Sequence, residues 1–127
     1  MHEQDMAIVK GLIPMAWADG VFAAKEKEII FALLDAFDAT EEQKKALNEY
    51  AKERRTLYDI DLQELSAPDR RVLLQHAVLL SYVEGEQGAA EKELLTNLVL
   101  KLKIPADEAR AILDASAARA QKLTKHL

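Results

Sequence analysis

The stretch MAWADGVFAAKEKE at residues 15–28 is echoed by LSYVEGEQGAAEKE at residues 80–93. When the chain is displaced by 65 positions against itself, the two stretches align without a gap. Each has an apolar segment that ends in an aromatic residue, then an acid and a glycine, and then a segment that opens with two glutamates. Such internal similarity predicts a repeated structural unit. We therefore expect two helix–acidic loop–helix units, in repeat halves at about residues 4–55 and 66–120.

The remainder of the chain favours helices throughout. Only four glycines and three prolines interrupt it, and strong helix formers fill the segments between them. We predict an all-α protein, a single compact domain over residues 1–127 with about six to seven helices and a pseudo-twofold repeat. The expected helices cover about 4–18, where Pro14 kinks or ends the first one, then 25–37, Thr40 to 54, Ser66 to 83, 90–103 and Pro105 onward, with one short turn in the linker 56–65.

Apolar residues recur at the helical spacing that predicts one buried face per helix. The expected stripes are Ile29, Ile30, Leu33, Leu34 and Phe37; Val72, Leu73, His76, Leu80 and Val83; Leu94, Leu95, Leu98, Val99 and Leu102; and Ala109, Ile112, Leu113 and Ala117. Trp17 and Tyr82 are interpreted as core anchors beside the two loops. His76 is interpreted as a core or boundary residue, because it stands without a second histidine at metal-ligand spacing.

Charge and composition exclude several partners. The chain has a net charge of −5 and no cysteine, so it offers neither a basic stripe for nucleic acid nor a thiolate metal site. The basic pairs Lys44-Lys45, Arg54-Arg55 and Arg70-Arg71 are interpreted as solvated helix faces. The longest uncharged run, residues 72–83, is too short to span a membrane, and the acidic N-terminus does not resemble a signal peptide. We expect a cytoplasmic protein without membrane insertion.

The two loops carry the candidate site. Gly20 and Gly85 are interpreted as helix stops that shape the loops, and first-turn Glu26 and Glu91 suit the positive end of a helix dipole. Asp19 and Glu84 face the unfavourable, negative end of the preceding helix, which indicates that each acid meets a positive group.

A divalent cation is one such positive group. Calcium takes roughly six to eight oxygen ligands, and an EF-hand loop spaces an acid, an adjoining glycine and a later glutamate as Asp19, Gly20 and Glu26 are spaced. Glu84, Gly85 and Glu91 repeat this spacing, but the earlier ligand positions of both loops hold apolar or aromatic residues, so neither loop is an EF-hand. We predict partial, weak sites for calcium, magnesium or manganese, with Asp19, Glu26, Glu84 and Glu91 as ligands and with Glu28, Glu86 and Glu93 as a second tier of acids.

The motif around each loop resembles the TerB-like family, which includes the tellurite-resistance protein TerB and the N-terminal-type domain of the DjlA co-chaperone. The resemblance covers about residues 8–117. It implies a helical fold with pseudo-twofold halves, an acidic metal-binding surface, and a cytoplasmic bacterial role near stress response or tellurite resistance. The family acids fall on Asp19, Glu26, Glu84 and Glu91. Glu84 departs from the family, which often has aspartate or a neutral residue there, and residues 86–88 add an acid and a glycine.

These observations favour a non-enzymatic binding or scaffold module with a protein partner that the sequence does not identify. One alternative is a metal-dependent hydrolase that uses paired carboxylates, although no nucleophile motif or histidine ligand set accompanies them. Another is a purely structural domain that forms a homodimer. We expect no catalytic residues and no cofactor other than a divalent cation.

Overall fold

Six α-helices form the framework of the protein in a computed structural model that describes residues 2–17, 24–82 and 88–125. The helices are α1 (Glu3–Ala16), α2 (Ala24–Ala36), α3 (Glu41–Ala51), α4 (Ala67–Ser81), α5 (Ala89–Leu102) and α6 (Ala106–Lys125), and two 3-10 turns, Leu57–Asp59 and Leu62–Glu64, lie between α3 and α4. These ranges contain no strand. The predicted all-α, single-domain class is thereby confirmed.

Reciprocal hydrogen bonds fix the starts of α3 and α4. The Thr40 hydroxyl accepts from the Gln43 backbone N–H at 3.1 Å, and the Gln43 side-chain oxygen accepts from the Thr40 N–H at 2.8 Å. Ser66 and Asp69 form the same pair of bonds before α4. A capping box satisfies backbone donors that a helix start otherwise leaves unpaired. Both predicted caps are thus confirmed.

The structure differs from the predicted map at two helix ends and in the linker. Pro14 lies inside α1, which continues to Ala16 before it ends. Helix α3 ends at Ala51, three residues before the predicted Arg54. The linker contains two 3-10 turns rather than one, and Ile60 between them is buried although Tyr58, two positions earlier, is 92% exposed. The linker is therefore partly a core element.

Helix α4 is the centre of the core, because it packs against α1, α5 and α6. Leu73, Leu74 and Ala77 on α4 are completely buried. Gly11 lies where α1 meets α4, and a Cβ atom at this position would come within 2.6 Å of the Leu73 Cδ2 atom. The absence of a side chain at Gly11 therefore permits the close approach of α1 to α4.

The predicted apolar stripes are confirmed in large part, with corrections. Ile29 is 37% exposed rather than buried. Nine further stripe residues are half-buried at the edge of the core: Leu33, Phe37, Val72, His76, Leu94, Val99, Ile112, Leu113 and Ala117. Leu74 and Val78, which the predicted stripe omits, are buried instead. Helix α4 packs against three helices and therefore buries more than one face, so a single stripe underestimates its buried surface. Val83 lies outside the described residues.

The interpretation of the basic pairs as solvated faces is wrong for Arg70. Its guanidinium donates to the carbonyl oxygens of Leu62 at 3.0 Å, Leu65 at 3.1 Å and Leu102 at 3.3 Å. These carbonyls belong to the linker and to the end of α5, where the helix leaves acceptors unpaired. Arg70 thus fastens both segments to the start of α4. Lys44 is also engaged, with its ammonium nitrogen 2.5 Å from an Asp35 oxygen.

Local backbone features recur at nearly constant separation along the chain. The starts of α1 and α4 lie 64 positions apart, and those of α2 and α5, and of α3 and α6, lie 65 apart. Asp38 and Lys103, which follow α2 and α5, have left-handed φ angles of 59° and 57°. Each is followed by a residue whose N–H closes the helix end, from Ala39 to Leu34 and from Ile104 to Val99. One difference is length, since α3 ends at Ala51 whereas α6 continues to Lys125.

No helix within the described ranges is both long enough and apolar enough to cross a membrane.

Candidate functional site

Several of the predicted site residues lie outside the described part of the chain. These are Asp19, Gly20, Glu84, Gly85 and Glu86. The predicted pairing of Asp19 with Glu26, and of Glu84 with Glu91, therefore stays a prediction.

The described members of the predicted site occupy matching helix starts. Glu26 is the third residue of α2 and Glu91 is the third residue of α5, and both side chains are half-buried. Glu28 and Glu93 lie two positions further along the same helices and are exposed. A carboxylate in a first turn is stabilised by the positive end of the helix dipole. The helix dipole alone is a sufficient reason for glutamate at positions 26 and 91. Both residues also follow closely after the two predicted acidic loops in the sequence.

The Glu91 carboxylate folds back over the residue that precedes its helix. A Cβ atom built on Gly88 would lie 2.5 Å from Glu91 Oε2, so any side chain larger than hydrogen at position 88 would displace this carboxylate. Gly88 stands at the N-cap and makes no side-chain cap bond, since it has no side chain. The extra glycine that distinguishes the second loop therefore provides the room that Glu91 uses.

Within residues 2–17, 24–82 and 88–125, no three histidine, aspartate or glutamate side chains gather in a way that would hold a metal ion. Each predicted metal site includes one acid outside these ranges.

Trp17 and Tyr82 are confirmed as residues that pack beside the core. Both are half-buried against it, and both follow their helix with closely similar backbone angles, φ −92° and ψ 6° for Trp17 and φ −101° and ψ 4° for Tyr82. The Trp17 indole N–H also donates to the Ala51 carbonyl oxygen at 3.0 Å. Trp17 thus satisfies an acceptor at the end of α3 and links the first helix to the third.

A cleft of about 260 Å³ opens beside Trp17, between the end of α1, the segment after α3 and one face of α5. Its apolar lining is Pro14, Trp17, Leu57, Ala90 and Leu94, and its polar lining is Arg54, Arg55, Thr56, Glu93 and Asn97. An apolar surface with a few convergent polar groups is the usual character of a ligand site.

Arg55 is held in place at the rim of this cleft. Its Nε donates to the Tyr50 carbonyl oxygen at 2.9 Å, and its guanidinium carbon lies 3.9 Å from the centre of the Tyr50 ring. A cation over an aromatic face is attracted by the ring quadrupole. Burial raises the pKa of Tyr50, and the charge of Arg55 acts in the opposite direction. The interpretation of Arg55 as part of a solvated face is therefore wrong.

Sequence reasoning missed this cleft because its walls are distant along the chain. Trp17 and Ala51 are 34 positions apart, and no spacing rule connects them. The sequence feature that points to the cleft is the basic pair Arg54-Arg55 near the predicted end of α3, which was interpreted as a solvated helix face.

His76 is half-buried on α4, as the boundary interpretation predicted. Burial lowers its pKa below the ordinary value, because the charged imidazolium loses solvation.

Comparison of the chain with models of protein families, with curated proteins and with solved structures finds no match. The resemblance to the TerB-like family therefore rests on residues 15–28 and 80–93. The structure itself defines the class of the protein, which is a six-helix all-α domain.

Proposed function

We propose that the chain is a non-enzymatic binding module of TerB-like type, in which a duplicated helix–loop–helix unit presents two acidic loops to a divalent cation. The observation that carries this proposal is the recurrence of the helix starts at separations of 64 or 65 positions, together with the left-handed residues Asp38 and Lys103, which lie 65 positions apart. This recurrence supports a pseudo-twofold duplication, with α1, α2 and α3 equivalent to α4, α5 and α6. Glu26 and Glu91 are then the same residue of the two copies.

Cation binding follows from the chemistry of the paired acids. Calcium, magnesium and manganese are bound by carboxylate and carbonyl oxygens, and calcium tolerates irregular geometry better than magnesium does. Each copy brings two acids to one loop, Asp19 with Glu26 and Glu84 with Glu91. Two carboxylates with loop carbonyls form an incomplete shell, so we expect dissociation constants in the range of about 10⁻⁴–10⁻³ M, as for weak extracellular calcium modules.

The proposal includes a role in the bacterial cytoplasm, near stress response or tellurite resistance, which the family resemblance implies. A bound cation would neutralise loop acids and change how the loops meet a protein partner. The module would therefore act as a scaffold whose binding surface depends on metal.

Isothermal titration with calcium, magnesium, manganese and zinc tests the proposal. The double variant Glu26→Gln/Glu91→Gln should lose most of the binding heat seen with the unchanged chain. The matched control is Glu42→Gln/Asp107→Asn, which removes two acids from the first turns of α3 and α6. This control has the same net charge and a similar effect on helix dipoles, so it should bind the cation normally. Absence of heat and of any thermal shift at millimolar metal would reject the proposal, as would equal loss of binding in both double variants.

A further inference from the structure

The cleft beside Trp17 has a fixed apolar surface. Trp17 is held by its hydrogen bond to Ala51, Pro14 is buried in the last turns of α1, and Leu94 is half-buried on α5. A surface that is already in place loses little conformational entropy when a ligand binds. The cleft therefore offers a preformed apolar surface to a small apolar group.

The polar side of the cleft is positive. Arg54 and Arg55 line it together with one acid, Glu93. Arg55 approaches a different acid, Glu53, at 3.9 Å, and Arg54 makes no hydrogen bond or ion pair with a residue that the structure describes. The Nε of Arg55 donates to the Tyr50 carbonyl oxygen, whereas the terminal nitrogen that faces Glu53 is beyond hydrogen-bond distance, so the terminal N–H groups make no hydrogen bond with a residue that the structure describes. A positive lining is notable because the whole chain has a net charge of −5.

The combination points to an amphiphilic anion. Guanidinium groups bind carboxylates through two parallel hydrogen bonds, and the Asn97 side chain in the same lining adds a further donor. The volume of about 260 Å³ is just below the ~300 Å³ at which typical ligand pockets begin, which favours a small molecule over a drug-sized one. We propose that this cleft binds a medium-chain alkyl carboxylate, with its tail on Trp17 and Leu94 and its carboxylate at Arg54 and Arg55.

The fluorescence of Trp17 reports on this site directly, because Trp17 is the sole tryptophan of the chain. We expect octanoate to change its emission in a saturable way, in buffer with a chelator so that the loop acids carry no metal. Octan-1-ol, which has the same tail without the charge, should bind at least tenfold more weakly. Equal binding of the alcohol, or no saturable change with octanoate, would overturn the proposal.

Two variants locate the carboxylate. Arg54→Gln should weaken octanoate binding about tenfold, whereas Arg110→Gln, which removes an exposed arginine from α6, should leave it unchanged. Asn97→Asp should weaken octanoate binding and leave the weaker binding of octanol unchanged, because it adds a negative charge to the lining. Its matched control is Asn48→Asp on the exposed face of α3. The proposal would be wrong if each variant and its control had equal affinity.

This test is independent of the proposed cation sites. Binding of octanoate in the presence of chelator can succeed while metal titration fails, and the reverse result is equally informative. Thermal unfolding of each variant without ligand checks that a loss of binding is not a loss of fold.

Discussion

Replacement of Gly11 by alanine should destabilise the protein, although alanine is the better helix former. Gly11 is in the interior of α1, where glycine costs about 1 kcal/mol relative to alanine. The alanine Cβ would lie 2.6 Å from Leu73 Cδ2 and 3.0 Å from Leu73 Cδ1. Leu73 is 0% exposed, so its side chain has no solvent-filled space into which it can move.

The magnitude follows from two opposing effects. Overpacking of a core costs about 1–3 kcal/mol, and the gain in helix propensity returns about 1 kcal/mol. We expect Gly11→Ala to lower the free energy of unfolding by about 1 kcal/mol as the balance of those two effects. In a Leu73→Ala background the clash is absent, so the same change should raise stability by about 1 kcal/mol. The double-mutant cycle therefore predicts a coupling energy of about 2 kcal/mol between positions 11 and 73.

Urea denaturation followed by helical circular dichroism measures all four corners of this cycle. With m near 1–3 kcal/mol/M, a change of 1 kcal/mol moves the midpoint by roughly 0.5 M. Ala32→Gly on the exposed face of α2 calibrates the helix-propensity effect alone. If Gly11→Ala stabilised both backgrounds equally, the coupling would be zero, and close approach of α1 to α4 could not be the reason for glycine.

Three further predictions concern single side chains. Trp17→Phe removes the indole N–H that reaches the Ala51 carbonyl, and should lower the unfolding free energy by about 1 kcal/mol in urea denaturation. Thr40→Ala removes the hydroxyl that caps α3, and should cost about 1 kcal/mol in the same assay. In the unchanged chain the pKa of His76 is lower in the folded than in the unfolded state, so the unfolded chain binds more protons. Its stability should therefore fall as the pH drops through about 6.5 toward the folded pKa. His76→Gln should remove this contribution and make the free energy of unfolding less dependent on pH.

Each of these variants has a direct check. Tyr82→Phe should have a smaller effect than Trp17→Phe if the Ala51 bond is the cause, and Thr40→Ser should retain the α3 cap. For His76, parallel stability curves of the variant and the unchanged chain between pH 7.5 and 5.5 would contradict the expected proton linkage.

Local sequence signals predicted the helices well. Thr40 and Ser66 begin α3 and α4 because their capping boxes involve residues three positions away, which a linear pattern contains. Pro105 likewise precedes α6, as predicted. Pro14 was harder to place, because a proline near the end of a helix removes a single hydrogen bond and the helix can continue for a few residues.

The contacts of individual polar side chains were not predictable in this way. Arg70 binds carbonyls as far away as Leu102, and Trp17 binds Ala51, so both depend on how the helices pack. Of the predicted acidic sites, the sequence placed Glu26 and Glu91 correctly in first turns. It could not anticipate that the Glu91 carboxylate lies over Gly88, because that arrangement depends on side-chain orientation rather than on residue spacing.

The central position of α4 has a consequence for the order of folding. Two of its partners, α5 and α6, follow it directly along the chain, whereas α1 must return from the opposite end of the sequence. Contacts between neighbours in sequence close shorter loops and lose less chain entropy. We therefore expect residues 67–125 to form the folding nucleus, with φ-values near or above 0.5 in α4 and near zero in α2. The two copies of the sequence pattern would then differ in folding order, because the second copy would fold first and the helices of the first copy would pack onto it.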